Sequence, residues 1–219
     1  MGISTPERTQ TSGDRRASSP PGRWRRLGGL LAGVALAAAA VGAQTFAYTR
    51  DDRNGPLTWT GDLGEQVAAS RISVQAKAVH AARAVETPGL AGEGPKRATT
   101  SGIFLVVDLA AQATWEPQRL AAPELLTEDG RRYVATDKVD ETLTITQFFV
   151  QPAWWVSGVA VFELPVAELA GARIVVHPER GILIEPSAPE VEIDLGLDES
   201  TAARLVSEAK DVYTLEKKK

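Results

Sequence analysis

The sequence predicts an all-β protein: an antiparallel β-sandwich preceded by one transmembrane helix and followed by a short C-terminal helix. Three observations predict it. From Leu57 onward, apolar residues recur at every second position, the period of strands with one buried face. Turn-forming pairs at Pro88-Gly89, Asp129-Gly130 and Arg180-Gly181 separate those runs, and many short strands with regular turns read as a sandwich or barrel. Ahead of them, one long apolar stretch follows directly on a group of arginines.

The N-terminal residues 1–26 are rich in Ser, Thr, Pro, Gly and Arg, with almost no large apolar side chain before Trp24. Such a segment cannot bury a core, so a disordered tail is expected. Its six arginines, Arg8, Arg15, Arg16, Arg23, Arg25 and Arg26, face only Glu7 and Asp14. Leu27 to Ala43 contains only Leu, Gly, Ala and Val, and the run extends to Tyr48 if Gln44 and Thr45 are tolerated. A spanning helix needs about 20 mostly apolar residues, and 27–48 meets that length. Trp24 on one side and Phe46 and Tyr48 on the other suit the aromatic belts of a bilayer. Arginines beside an apolar run stay in the cytoplasm, which places the rest of the chain outside. A basic arm can also bind nucleic acid, but one that abuts an apolar run is a topology signal. Membrane lipid, through residues 27–48, is the expected partner of this part, and nucleic acid is not. The alternative is secretion after cleavage near Ala43, since Val41-Gly42-Ala43 offers small residues at the required positions. Both readings deliver the domain to the same side.

Residues 49–56 are charged and turn-forming and read as a linker. Residues 57–197 carry the sandwich pattern. Ile72, Val74, Ala76 and Ala78 alternate with polar residues; Ile103, Leu105, Val107 and Leu109 share a face; Leu143 and Ile145 alternate with threonines; Ala160, Phe162 and Leu164 share a face. Ile174–Val176 and Ile182–Ile184 are short β-branched runs, and Val191, Ile193 and Leu195 alternate with acids. Val85 to Ser101, with its Gly, Pro and Thr, reads as a long loop between two strands. In 198–219, the spacing of Ala202, Leu205, Val206 and Ala209 behind Asp198 or Ser200 predicts a short helix, and Glu216 and Lys217–Lys219 are expected to fray.

The 219 residues carry a net charge of −4 and no cysteine. That excludes a disulfide framework, thiolate metal sites and a cysteine-linked lipid anchor. An extracytoplasmic domain of this kind relies on its core alone.

Several pieces in order carry a family resemblance: Ser101-Gly102-Ile103-Phe104-Leu105-Val106-Val107-Asp108-Leu109, then Leu126 to Tyr133, then Gly158-Val159-Ala160-Val161-Phe162-Glu163-Leu164-Pro165, then Ala170 to Ile174. Gly64-Glu65-Gln66-Val67 fits the opening of such a domain. Together, across roughly residues 57–195, they resemble a bacterial family of extracytoplasmic immunoglobulin-like (telokin-like) domains of unknown function that often follow a single membrane anchor. The resemblance implies an immunoglobulin-like sandwich and no enzymatic activity, and it supplies no functional residues; no cofactor is expected. The chain departs from it at Trp154-Trp155, where the family tends to carry a small polar turn.

Candidate chemistry is thin. His80 and His177 lie far apart without a metal-binding motif, and each reads as a strand-end or turn histidine. Ser157-Gly158 lacks the preceding glycine of a nucleophile elbow, and Val156–Val159 reads as the start of a strand. The stretch from Gly89 to Lys96 is not a phosphate loop, because Pro95 interrupts it and no Ser or Thr follows the lysine. Asp137, Asp140 and Glu141 lack the order of a calcium loop. No catalytic, metal or cofactor residue is assigned.

Trp154, Trp155, Phe148 and Phe149 are the candidate partner-binding residues. In an extended segment neighbouring side chains point to opposite faces, so one tryptophan fills the core and the other points outward, unless a loop covers it. Exposed tryptophans are enriched in binding hot spots and at membrane interfaces. The expected function is a non-enzymatic, membrane-tethered extracytoplasmic module that binds another envelope or membrane protein. The alternative is a small-ligand or ion sensor using the 85–101 or 137–141 segment.

Overall fold

In the computed structural model of this chain, residues 55–89, 94–180 and 188–216 are described. The expected tail, membrane segment and most of the linker lie outside them, as do Ile182–Ile184 and Gly181. No helix among the described residues is long and apolar enough to cross a membrane. Arg50–Lys219 forms one compact unit.

Among the described residues, twelve strands and one α-helix build it, as a β-sandwich. The strands are β1 Leu57–Asp62, β2 Gln66–Ala68, β3 Ile72–Thr87, β4 Lys96–Ala113, β5 Gln118–Arg119, β6 Glu124–Leu126, β7 Arg132–Val134, β8 Phe149–Val150, β9 Val156–Leu164, β10 Arg173–Val176, β11 Pro189–Asp194 and β12 Tyr213–Thr214. The helix α1, Glu199–Ser207, lies between β11 and β12. One sheet runs β1-β11-β10-β6-β7, and the other runs β12-β3-β4-β9 with β2 also on β3. The short β5-β8 ribbon stands apart from both.

The main core lies between the two sheets. Ile103, Leu105, Val107 and Leu109 of β4 meet Ala160, Phe162 and Leu164 of β9, with Ile174, Val191 and Ile193 from the other sheet. These are the faces that the period-two pattern assigns to the interior. Alternation alone, however, implies one buried face per strand, and β4 and β9 are buried on both. Phe104, Val106, Val159 and Val161 form a second, smaller core with Val85, Val139 and Leu215. Runs buried on both faces read as continuous apolar stretches, which Ile103–Val107 and Val159–Phe162 are.

The expectation of a purely antiparallel sandwich is corrected. β1 pairs parallel to β11, and β12 pairs parallel to β3. Both are edge additions by the two ends of the domain, whose partners lie far along the chain. A parallel pair needs a long crossover and leaves no hairpin signature in the sequence.

The long loop expected over Val85–Ser101 is also corrected. β3 runs through Thr87 and β4 begins at Lys96, in register from Ala84 opposite Thr99 to Thr87 opposite Lys96. The turn residues are confined to 88–95, while Thr99 and Thr100 are β-branched and suit a strand. A register shift between Ala82 and Ala84 resets the pleat, which breaks the alternation that a reader would follow.

The strand expected around Leu143 and Ile145 is replaced by two 3-10 turns, Glu141–Leu143 and Ile145–Gln147. Asp140 accepts from the Thr142 amide at 2.9 Å and from its hydroxyl at 2.7 Å. The Thr144 hydroxyl donates to the Glu141 carbonyl at 2.8 Å. Such local bonds give the backbone an alternative to a sheet ladder. The segment instead packs against β9, where Gly158 makes room for it. A Cβ at Gly158 would lie 2.7 Å from the Ile145 Cα.

The helix forms where its spacing predicts, with the Asp198 side chain accepting from the Thr201 amide at 2.6 Å as its N-cap. Of the residues expected to fray, Glu216 and Lys217–Lys219, the last three lie outside the described residues. Tyr213–Thr214 joins β3, and Leu215 is fully buried.

Candidate aromatic surface at the entry end

Strand register defines the two ends of the sandwich. Ile72 stands opposite Ala113, and Ala111 opposite Val156, so β3 begins, β4 finishes and β9 begins at one end. Just past it, the Thr114 amide donates to the Arg71 carbonyl at 2.8 Å, and the Ala113 amide donates to the Gln151 carbonyl at 3.2 Å. Trp115 and the 151–155 turn therefore sit side by side at that end.

The β5-β8 ribbon belongs to the same end. Arg119 pairs with Phe149, and Leu120 bridges to Pro178 just beyond β10. The finish of β10 at Val176 lies opposite Val191 of β11. Pro189, where β11 starts, pairs with Leu57, where β1 starts. The chain thus enters the sandwich at the end that carries Trp115, Phe149 and the 151–155 turn.

At this end Trp115 is 82% exposed, Trp154 69%, Phe149 57% and Trp155 38%. The expectation that one tryptophan of the pair fills the core is corrected: neither does. Its premise was an extended segment, and residues 151–154 instead make a tight turn. The Trp154 amide donates back to the Gln151 carbonyl at 3.4 Å, and Ala153 sits at a φ of 59°. The left-handed region costs a non-glycine residue roughly 1–2 kcal/mol. Residues 151–154 therefore turn where an extended segment was expected, and the turn carries a tryptophan. Phe148 is only half-buried and Phe149 projects outward, with the Arg119 guanidinium 5.2 Å from its ring centroid, a cation–π distance.

Of the four residues singled out from sequence, Phe149, Trp154 and Trp155 are exposed together here, and Phe148 contributes less. Trp115 was missed. Its signal was Trp115-Glu116-Pro117 directly after a long apolar run, where a strand must stop.

An open groove of about 890 Å³ adjoins this end. Arg119, Asp137, Glu141 and Glu179 are among its polar lining, and Val139 and Val159 among its apolar residues. Asp140 is absent from the lining; its carboxylate is engaged with Thr142, whose side-chain and backbone hydrogen bonds hold it below the usual aspartate range. Among the described residues no group of three His, Asp or Glu side chains could hold a metal ion.

The histidines stay apart. His80 lies inside β3, because that strand continues to Thr87, and is not at a strand end as read from sequence. Its Nε2 is 3.8 Å from an Asp108 carboxylate oxygen, and its ring lies 5.4 Å from that of Tyr213. His177 follows β10 in the other sheet, with Nδ1 2.9 Å from the Pro178 carbonyl. Ser157 lies within β9, and its hydroxyl accepts from the Lys77 ammonium at 3.2 Å.

No family model and no curated protein matches the chain. Among solved structures, an uncharacterized β-sandwich protein from Clostridium difficile 630 is similar over 64% of this chain and 95% of its own, at 10% identity and a TM-score of 0.34.

Proposed function

We propose that this protein is a non-enzymatic, membrane-tethered module, held outside the cytoplasm by residues 27–48, whose sandwich binds another envelope or membrane protein. The finer fold reading, an immunoglobulin-like (telokin-like) domain behind a single anchor, belongs to the same proposal. The observation that carries it is the group of exposed aromatic side chains at the entry end, Trp115, Phe149, Trp154 and Trp155. Large apolar side chains displayed together and fixed by backbone hydrogen bonds lose little freedom on binding, which is what makes a hot spot effective.

The test is to crosslink intact cells carrying the full-length protein with a C-terminal tag and to identify what co-purifies from the membrane fraction. One or two integral or envelope proteins, recovered in lower yield from a Trp115→Ala/Trp154→Ala variant, support the proposal. Recovery of the bait alone from a confirmed membrane fraction overturns its protein-binding half.

The groove favours a second reading, a small-ligand or ion sensor, because Asp137 and Glu141 of the segment suspected from sequence do line it. A ligand bound only to the folded state raises the melting temperature by mass action. A melting temperature unmoved by calcium, other metals, sugars and peptides removes this reading.

A further inference from the structure

We propose that the entry end rests on the bilayer itself, with Trp115, Trp154 and Phe149 in the headgroup layer of the membrane that holds the chain. This rests on the tether of the proposed function but not on its protein partner.

Three observations lead there. The aromatic side chains and Leu57 share one end of the sandwich. The stretch between the apolar run and β1 is residues 49–56, which at full extension spans on the order of 28 Å. β4, Lys96–Ala113, runs from the far end to this one, on the order of 55–60 Å at a strand's rise per residue. A tether of that reach keeps the entry end within about 28 Å of the bilayer however the domain tilts, whereas the far end is free to swing away. The surface tethered beside the lipid is thus the one that displays tryptophan, the residue type that partitions into the interface because its ring is apolar and its N–H is polar.

The charges at this end mark the kind of lipid contact. Arg119 and Arg180 are exposed, but so are Glu116 and Glu179. Cations and anions interspersed in this way give no net attraction to anionic headgroups. Seating therefore depends on aromatic partition, and zwitterionic phosphatidylcholine suffices.

The test uses the full chain, as a Trp24→Phe variant, in protein-free phosphatidylcholine vesicles with a headgroup nitroxide as quencher. Trp24→Phe removes the tryptophan beside the proposed span, and half-buried Trp59 remains as an internal reference. The expected result is at least twofold quenching of the emission, falling close to none when Trp115, Trp154 and Trp155 are all replaced by Phe. Adding anionic lipid changes this little. If the chain resists carbonate extraction but its tryptophans stay open to aqueous acrylamide and untouched by the nitroxide, the lipid seat is wrong and the tether stands. Failure of the chain to enter vesicles at all overturns both. Shielding that appears only once solubilised membrane proteins are added makes the occupant a protein and also overturns the lipid seat.

Discussion

The two ends of the sandwich face the same problem and solve it differently. At the far end the β3-β4 hairpin exposes apolar side chains on its outer face, and the chain covers them itself. Tyr213–Thr214 pairs with Val85–Glu86, and Leu215 buries itself beside Phe104 and Val106. The segment carrying Val139 and Leu143 covers the same face from the β9 side. At the entry end Trp115, Phe149 and Trp154 remain outside the core, even though the turn that holds them is hydrogen-bonded in place. A chain able to recruit its own C-terminus for one apolar face leaves the other uncovered among the described residues. Apolar surface that folding does not consume is surface available for binding.

This contrast can be broken from either side. Leu215→Ala is expected to have the largest effect, about 2–5 kcal/mol of lost stability, because it leaves a cavity under the C-terminal strand. Urea unfolding of the protein checks it, and a loss under about 0.5 kcal/mol would mean that the C-terminal segment is a passive tail. Gly158→Ala comes next, at about 1–3 kcal/mol, since its methyl group meets the Ile145 backbone and pushes the covering segment off β9. The same unfolding measurement reads it, together with faster hydrogen exchange over residues 139–147.

A smaller effect is expected with pH. The Lys138 ammonium, 2.5 Å from Glu163, and then the Thr100 hydroxyl hold the Glu163 carboxyl below the usual glutamate range. Because the folded value is the lower one, this contribution is fully present above the unfolded value of about 4.3 and is lost as pH falls through the folded value. Protection against hydrogen exchange in the covering segment, taken relative to the intrinsic rate at each pH, should therefore fall below about pH 4, and Glu163→Gln should flatten that fall. At the entry end, Trp115→Ala and Trp154→Ala are expected to change folding stability least, within about 0.5 kcal/mol. A loss above about 2 kcal/mol in either would show that these rings support the fold and are not a free surface.

How much of this was legible in the sequence follows from how local each signal is. The inner faces of β4 and β9 were readable because a period of two over Ile103–Leu109 and Ala160–Leu164 is written in consecutive residues. So was α1, whose cap and apolar spacing lie within one short stretch. The 142–146 segment misled because threonine serves both a strand and a locally bonded turn, and the choice turned on Gly158 in another element. The extension of β3 and β4 was hidden by the register shift after Ala82 and by a covering strand that arrives from the far C-terminus. At the candidate site, Trp154 and Trp155 were conspicuous by type, but their orientation depended on a turn with Ala153 at positive φ. Nothing near Trp115 in sequence says that it joins them.

By itself the sequence determined the class of the fold, the inner faces of its central strands, the short helix and the lack of any cysteine-based chemistry. These follow from residue type and short-range period, which bind the backbone to strand or helix wherever the rest of the chain goes. Only the tertiary structure decided the parallel edges at β1 and β12, the second core, and the gathering of Trp115, Phe149 and Trp154 beside the point where the chain enters. Those depend on pairings between residues remote in sequence, where register and the competition for buried surface choose the neighbours.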